Sequence, residues 1–197
     1  MNILNIMSGP GRYLIGEEEK QEILDVLETG HLFRFGGESD PKYKHKVVSF
    51  EDELKMHLGS EYCLAVTGGS IGLLTSLAAL GIGPGDDVIV PGYTFVASIS
   101  AIIWARAVPI LAEIDESLTI DPDDIEKKIT DRTKAIMPVH MLGNPCDMDR
   151  ITAIAQKHNL YVVEDCAQAL GASFKGRKVG TIGDIGAYSL NHMKVIS

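Results

Sequence analysis

From residue 62 onward, short apolar runs alternate with stretches of helical pattern, and that alternation restricts the chain to one fold class. The runs are YCLAV (62–66), DVIVP (87–91), VPILAEI (108–114), AIMPV (135–139), YVVE (161–164) and GAYSL (186–190). Helical patterns lie near 70–80, 95–105, 122–129 and 147–158, and Asp121-Pro122 marks a helix start. Strands that are apolar along their whole length must be covered on both faces, and the intervening helices supply the cover. The expected architecture is α/β, a mainly parallel sheet with helices on both faces.

Residues 1–60 read differently, as a helical and irregular segment expected to pack on the domain formed by 61–197. GEEEKQEILDVLETG places Ile23, Leu24 and Leu27 on one helical face, with acids in the first turn and Gly30 as a stop. HLFRFGGESDPKYKHK carries turn formers and mixed charge, so a loop is expected. Ser49 with Asp52 resembles a capping box for a short helix after it.

Composition narrows the function. Apolar content of 45% with 23% charged residues belongs to a globular chain. A net charge of −9 speaks against nucleic acid as partner, because that affinity comes largely from Lys and Arg neutralising phosphates. Cys63, Cys146 and Cys166 show no C-x-x-C spacing and cannot all pair, which fits a reducing compartment. The greasiest stretch, TFVASISAIIWARAVPILAEI, is broken by Arg106 and Pro109, short of a membrane span. The N-terminus has no long apolar core after a basic start, so a cytoplasmic protein without membrane partners is expected.

In such a sheet, ligands bind in the crevice beyond the carboxyl ends of the strands. Three stretches with chemistry sit there. TGGS, Thr67 to Ser70, lets backbone N–H groups approach an anion at a helix start, although a strand-to-helix turn calls for glycine in any case. It is no Walker loop, because no G-K-[ST] follows, and GIGPGD (81–86) lies after a helix and before a strand, the reverse of a dinucleotide fingerprint. EDCAQ offers Asp165, either a turn cap or a carboxylate for a cation or protonated ring nitrogen, with Gln168 three residues on. SLNHMK offers Ser189 and Lys194; a lysine in a partly desolvated crevice can attack a carbonyl carbon. A phosphate cradle, an acid for a ring nitrogen and a lysine for an aldehyde together match the needs of pyridoxal 5′-phosphate (PLP). His140 and His192 lack metal-ligand spacing and are read as ordinary hydrogen-bonded histidines, with no metal site expected.

These stretches resemble the DegT/DnrJ/StrS family of PLP-dependent sugar aminotransferases. The resemblance runs from GEEEKQEILDVLETG through LGIGPGDDVIVPGYTFVASISAI and TKAIMPVHMLGNPCDMDRI to VVEDCAQALGASFKGRKVGTIGDIGAYSLNHMK, the last being the most specific. It implies the large domain of a fold-type-I PLP transferase, with the C-terminal small domain missing and a homodimer when full length. It implies that Lys194 carries PLP as an internal aldimine and moves protons, and that Asp165 holds the pyridinium nitrogen. Gln168 would lie by the ring, Phe95 would stack on its face, Gly69, Ser70 and Ser189 would bind the phosphate, and Asn191 would line the pocket. Gly68 stands where the family has a serine, and Leu190 where phenylalanine is common. Related dehydratases carry histidine at the position of Lys194, so the implied reaction is amino transfer from glutamate or glutamine to a keto sugar, sugar nucleotide or cyclitol. The rival readings are a pyridoxamine-dependent sugar dehydratase and a non-catalytic fragment or sensor of the same fold. The sequence stops three residues past Lys194, which is expected to be a fragment boundary.

Overall fold

The computed structural model of the chain describes Gly11, residues 15–35 and residues 39–194. Helix α1 spans Glu17–Thr29, with three acids in its first turn and Glu19 Oε2 accepting the Gly16 N–H at 2.6 Å. It buries none of its residues, and Lys46 ties it to α2 (Lys46–Leu58) through Glu22 and Asp25. The capping box expected at Ser49 is not formed, because α2 begins earlier, behind His45. The Ser49 N–H therefore donates to the His45 carbonyl at 2.9 Å, as an interior helical residue does.

The remaining elements are α3 (Gly69–Ala79), β1 (Asp87–Pro91), α4 (Val96–Trp104), β2 (Val108–Ala112), α5 (Pro122–Lys128), β3 (Thr133–Ile136), α6 (Met148–His158) and β4 (Tyr161–Asp165), then the short β5 (Ser173–Phe174), β6 (Arg177–Lys178) and β7 (Ile185–Ala187). Asp121 and Asp147 cap α5 and α6 by accepting the N–H groups of Asp123 and Arg150. Five strands form one sheet in the order β2-β1-β3-β4-β7, every neighbouring pair parallel.

Strand alternation places the core on both faces. Val88 and Val90 of β1 pack with Leu73 and Leu77 of α3 and Ala101 and Ile102 of α4. Ile89 and Ile136 face the other way, against Ile125 of α5 and Ile151 and Ile154 of α6. Each of these large side chains contributes about 1.5–3 kcal/mol by burial. Connections from β1 run outward to β2, whereas those from β3 run the opposite way to β4. The order thus reverses between β1 and β3, the kind of switch point beyond whose carboxyl ends such sheets bind ligands.

Three strand expectations need correction. YCLAV is extended but unpaired; the Ala65 N–H goes to Glu51 Oε1 at 2.7 Å, and Tyr62 and Leu64 are exposed. AIMPV forms regular strand only as far as Ile136: its last bond toward β1 runs from Met137 N to the Ile89 carbonyl at 2.7 Å, while toward β4 the Pro138 carbonyl accepts the Asp165 N–H at 2.9 Å and Val139 still bridges Asp165. GAYSL pairs only as far as Ala187, and the Tyr188 hydroxyl turns back to the Val179 carbonyl at 2.6 Å. The β5–β6 hairpin was not expected. Its two-residue connection, Lys175-Gly176, takes φ of 48° and 81°, both positive as such tight turns require.

Candidate active site

Asp165 closes β4 and is almost wholly buried at the sheet's carboxyl edge. Its Oδ1 accepts the Ala167 N–H at 3.0 Å, a local turn cap, and its Oδ2 accepts from Ser98 Oγ at 2.7 Å. The turn-cap reading of Asp165 is thus met by Oδ1, and Oδ2 is tied to a second element. Burial pushes its pKa up, against the hydrogen bonds from Ser98 and Ala167 and the nearby charge of Lys194. Ser98 was missed by sequence reasoning; the available signal was a serine in the first turn of a largely apolar helical stretch, a signal that Ser100 shares, and the structure shows Ser98 fully buried.

Lys194 reaches the same edge from the far side of β7. Its Nζ lies 5.4 Å from the centroid of the exposed Phe95 ring, which precedes α4. The Lys194 N–H donates to the Asn191 carbonyl at 2.7 Å, while Asn191 Oδ1 accepts the Met193 N–H at 2.9 Å. Asn191 thus shapes the turn that carries the lysine, and Ser189 Oγ accepts its N–H at 3.4 Å.

Gly69 opens α3 directly against that turn. A Cβ at this position would sit 2.9 Å from Ser189 Cβ and 3.2 Å from the Tyr188 carbonyl oxygen. Glycine is therefore needed for close approach, and it brings the start of α3, with Ser70 next in line, beside Ser189. The helix start and the serine form a concave, N–H-rich corner of the kind that suits a phosphate. Gln168 is placed less directly: its Oε1 accepts the Leu142 N–H at 3.1 Å and its Nε2 lies 3.4 Å from Met141 Sδ, so its polar atoms brace the turn after β3. The structure thus brings Lys194, Phe95, Asp165, Gly69 and Ser189 to one edge, and engages Gln168 and Asn191 in the turns that frame it.

Behind this edge lies a buried polar pair. His140 Nδ1 accepts the Cys146 N–H at 3.1 Å, so Nε2 carries the proton and donates to Glu164 Oε2 at 3.0 Å. Glu164 also accepts the N–H groups of Gly180, Ile182 and Gly183 at 2.7–2.8 Å. Burial raises the Glu164 pKa, but the bonds from His140, Gly183 and Gly180 outweigh it and hold the carboxyl below its usual range. Cys166 completes a trio with metal-like spacing, yet both nitrogens of His140 and both carboxylate oxygens of Glu164 are already engaged by the protein. The arrangement fits the reading of His140 as an ordinary hydrogen-bonded histidine. Sequence reasoning did not single out Glu164.

A parallel sheet with a switch in strand order, and at its carboxyl edge a lysine near a buried aspartate and a glycine-opened helix start, place this chain in the fold class of PLP-dependent transferases. The aminotransferase from Psychrobacter cryohalolentis is 42% identical and superposes with a TM-score of 0.85, over 93% of this chain and 45% of its own. The PLP form of a putative sugar aminotransferase from Streptococcus pneumoniae is 30% identical with a TM-score of 0.86, over 96% of this chain and 50% of its own. In sequence, the chain is 45% identical over 174 residues to the dTDP-3-amino-3,6-dideoxy-alpha-D-galactopyranose transaminase of Aneurinibacillus thermoaerophilus, covering 88% of this chain and 46% of that protein. The chain belongs to the DegT/DnrJ/EryC1/StrS aminotransferase family, whose model matches residues 14–197. It spans about half the length of the relatives it matches. Among the described residues, no helix is long and apolar enough to cross a membrane.

Proposed function

We propose that the protein to which this chain belongs is a PLP-dependent aminotransferase acting on a keto sugar, sugar nucleotide or cyclitol, with glutamate or glutamine as amino donor. The observation that carries this reading is the meeting of Lys194, Asp165 and the Gly69–Ser189 corner at one sheet edge. The residues fit the cofactor in chemistry: Gly69 lets the start of α3 close on Ser189, so that backbone N–H groups and a hydroxyl meet as a phosphate requires, and Asp165 offers a buried carboxyl to a cationic ring nitrogen. Bound there, PLP would supply an electron sink for the carbon whose nitrogen is exchanged.

The chain's own residues would divide the work. Lys194 would hold the cofactor aldehyde through Nζ, and the same amine would serve to hold and move a proton near the reacting carbon. Asp165, kept ionised, holds the proton on the ring nitrogen by a charge-assisted hydrogen bond. Phe95 offers its exposed face for stacking, and the N–H groups at Gly69 and Ser70 with the Ser189 hydroxyl bind the phosphate. Gln168 and Asn191 hold the turns that frame the pocket. The segments 1–60 and 61–197 act as an N-terminal lead-in and a PLP-binding domain, completed by a small domain and by a second copy in a homodimer.

The test is turnover. The full-length protein, PLP, glutamate or glutamine and a keto-sugar nucleotide should yield the amino sugar, identified by mass, and Lys194→Ala should abolish it. Loss of water from the sugar in place of amine formation would assign the protein to dehydration instead.

A further inference from the structure

We propose that Ser98 is a positioning residue that aims Asp165 and holds it ionised through a hydroxyl relay from Thr94; the inference rests on the function proposed above. Ser98 Oγ has one proton and two neighbours that only accept, Asp165 Oδ2 at 2.7 Å and the Phe95 carbonyl at 3.3 Å. The shorter contact to a carboxylate takes the proton. Thr94 Oγ1, 2.8 Å from Ser98 Oγ, must then be the donor in that pair, so the relay runs from Thr94 to Ser98 to Asp165.

The relay meets a need that the rest of the site does not. Asp165 lies in a buried position where desolvation favours its neutral form, and a neutral carboxyl cannot hold a protonated ring nitrogen. Among the ionisable groups near it, the Lys194 ammonium favours the charged form, while His140, whose Nδ1 accepts a backbone N–H, and the buried Cys166 thiol add no charge. The Ala167 N–H fixes Oδ1 but belongs to the turn that Asp165 itself makes. Ser98 comes from a different element, α4, and its bond is the one that locks the second oxygen to the rest of the fold. Because Oδ2 has a further lone pair, the bond orients the carboxylate without closing it to a ligand.

The experiment is a double-mutant cycle on PLP affinity, measured by titrating the full-length apoprotein with PLP over a pH series. Ser98→Ala should weaken binding about tenfold, the value of one hydrogen bond to a charged group, and shift the acid limb of the affinity profile to higher pH. In an Asp165→Asn background the same substitution should change affinity by under ~2-fold, because the group it acts through is gone. Equal losses in both backgrounds with an unmoved acid limb would mean that Ser98 only packs, and would overturn the inference. Thr94→Ala repeats the test at a half-buried position should Ser98→Ala unfold; a loss that persists undiminished in Asp165→Asn would again overturn it. Failure of the unsubstituted protein to bind PLP would defeat the proposed function itself and this inference with it, whereas binding without coupling defeats only the role of Ser98.

Discussion

Replacing Glu164 with glutamine tests the buried pair behind the site most severely, because it changes one charge and almost no volume. Glu164 Oε1 accepts from Ile182 and Gly183, and Oε2 accepts from His140 and Gly180. A glutamine keeps one acceptor oxygen; whichever way the amide is turned, its NH₂ faces two donors. His140 cannot relieve the clash by changing tautomer, since its Nδ1 already accepts the Cys146 N–H. Two bonds to a charged acceptor are lost, each ~1.5–3 kcal/mol, so the turn from Gly180 to Gly183 should lose about 3–6 kcal/mol of local stability. That is a large share of the ~5–15 kcal/mol that holds a typical domain. Hydrogen exchange by mass spectrometry on peptides covering 177–184 of the full-length protein reads the loss directly. The sign with pH follows from the depressed pKa of Glu164: its contribution is present above the unfolded value of ~4.3 and is lost as pH falls through the lower folded value. The gap between wild type and Glu164→Gln should therefore narrow in acid. A difference under ~1 kcal/mol at neutral pH would refute the hydrogen-bond assignment.

Further outcomes follow from the same geometry. Gly69→Ala places a methyl group 2.9 Å from Ser189 Cβ, and should cost about 1–3 kcal/mol while weakening PLP binding, checked by thermal melting and cofactor titration. Asp165→Asn should stabilise the apoprotein while impairing PLP binding. The raised pKa of Asp165 means a cost that is present above its folded value and relieved as pH falls through it, and ~1 kcal/mol is about 2–4 °C of Tm in a domain of this size. Of the chain's three thiols, Cys63 should label first in the native protein, seen by peptide mass. Cys146, pushed up to about 12 by burial, and Cys166, raised well above the usual thiol range by burial, should label only on unfolding.

The sheet and its helices were legible because Val88, Ile89 and Val90 could be satisfied only by cover on both faces, and because Asp121 and Asp147 announce helix starts locally. Strand ends were less legible. The turn of Tyr188 toward Val179, for example, depends on a contact made across the fold. YCLAV has strand composition, but pairing belongs to two strands, and the neighbour is not written in its own residues. In the site, Asp165 and Lys194 stood out because charge at the end of an apolar run is costly without a purpose. Ser98 and Glu164 did not stand out: a serine in a helix and a glutamate in a strand gain meaning only through partners 67 and 16–24 residues away.

The central claim is that Lys194 carries the cofactor. Incubating the full-length protein with PLP, reducing with borohydride and mapping the peptides should place the pyridoxyl mass on Lys194, with Lys194→Ala unlabelled. Labelling of a different lysine in the folded protein, or the same labelling in Lys194→Ala, would contradict it.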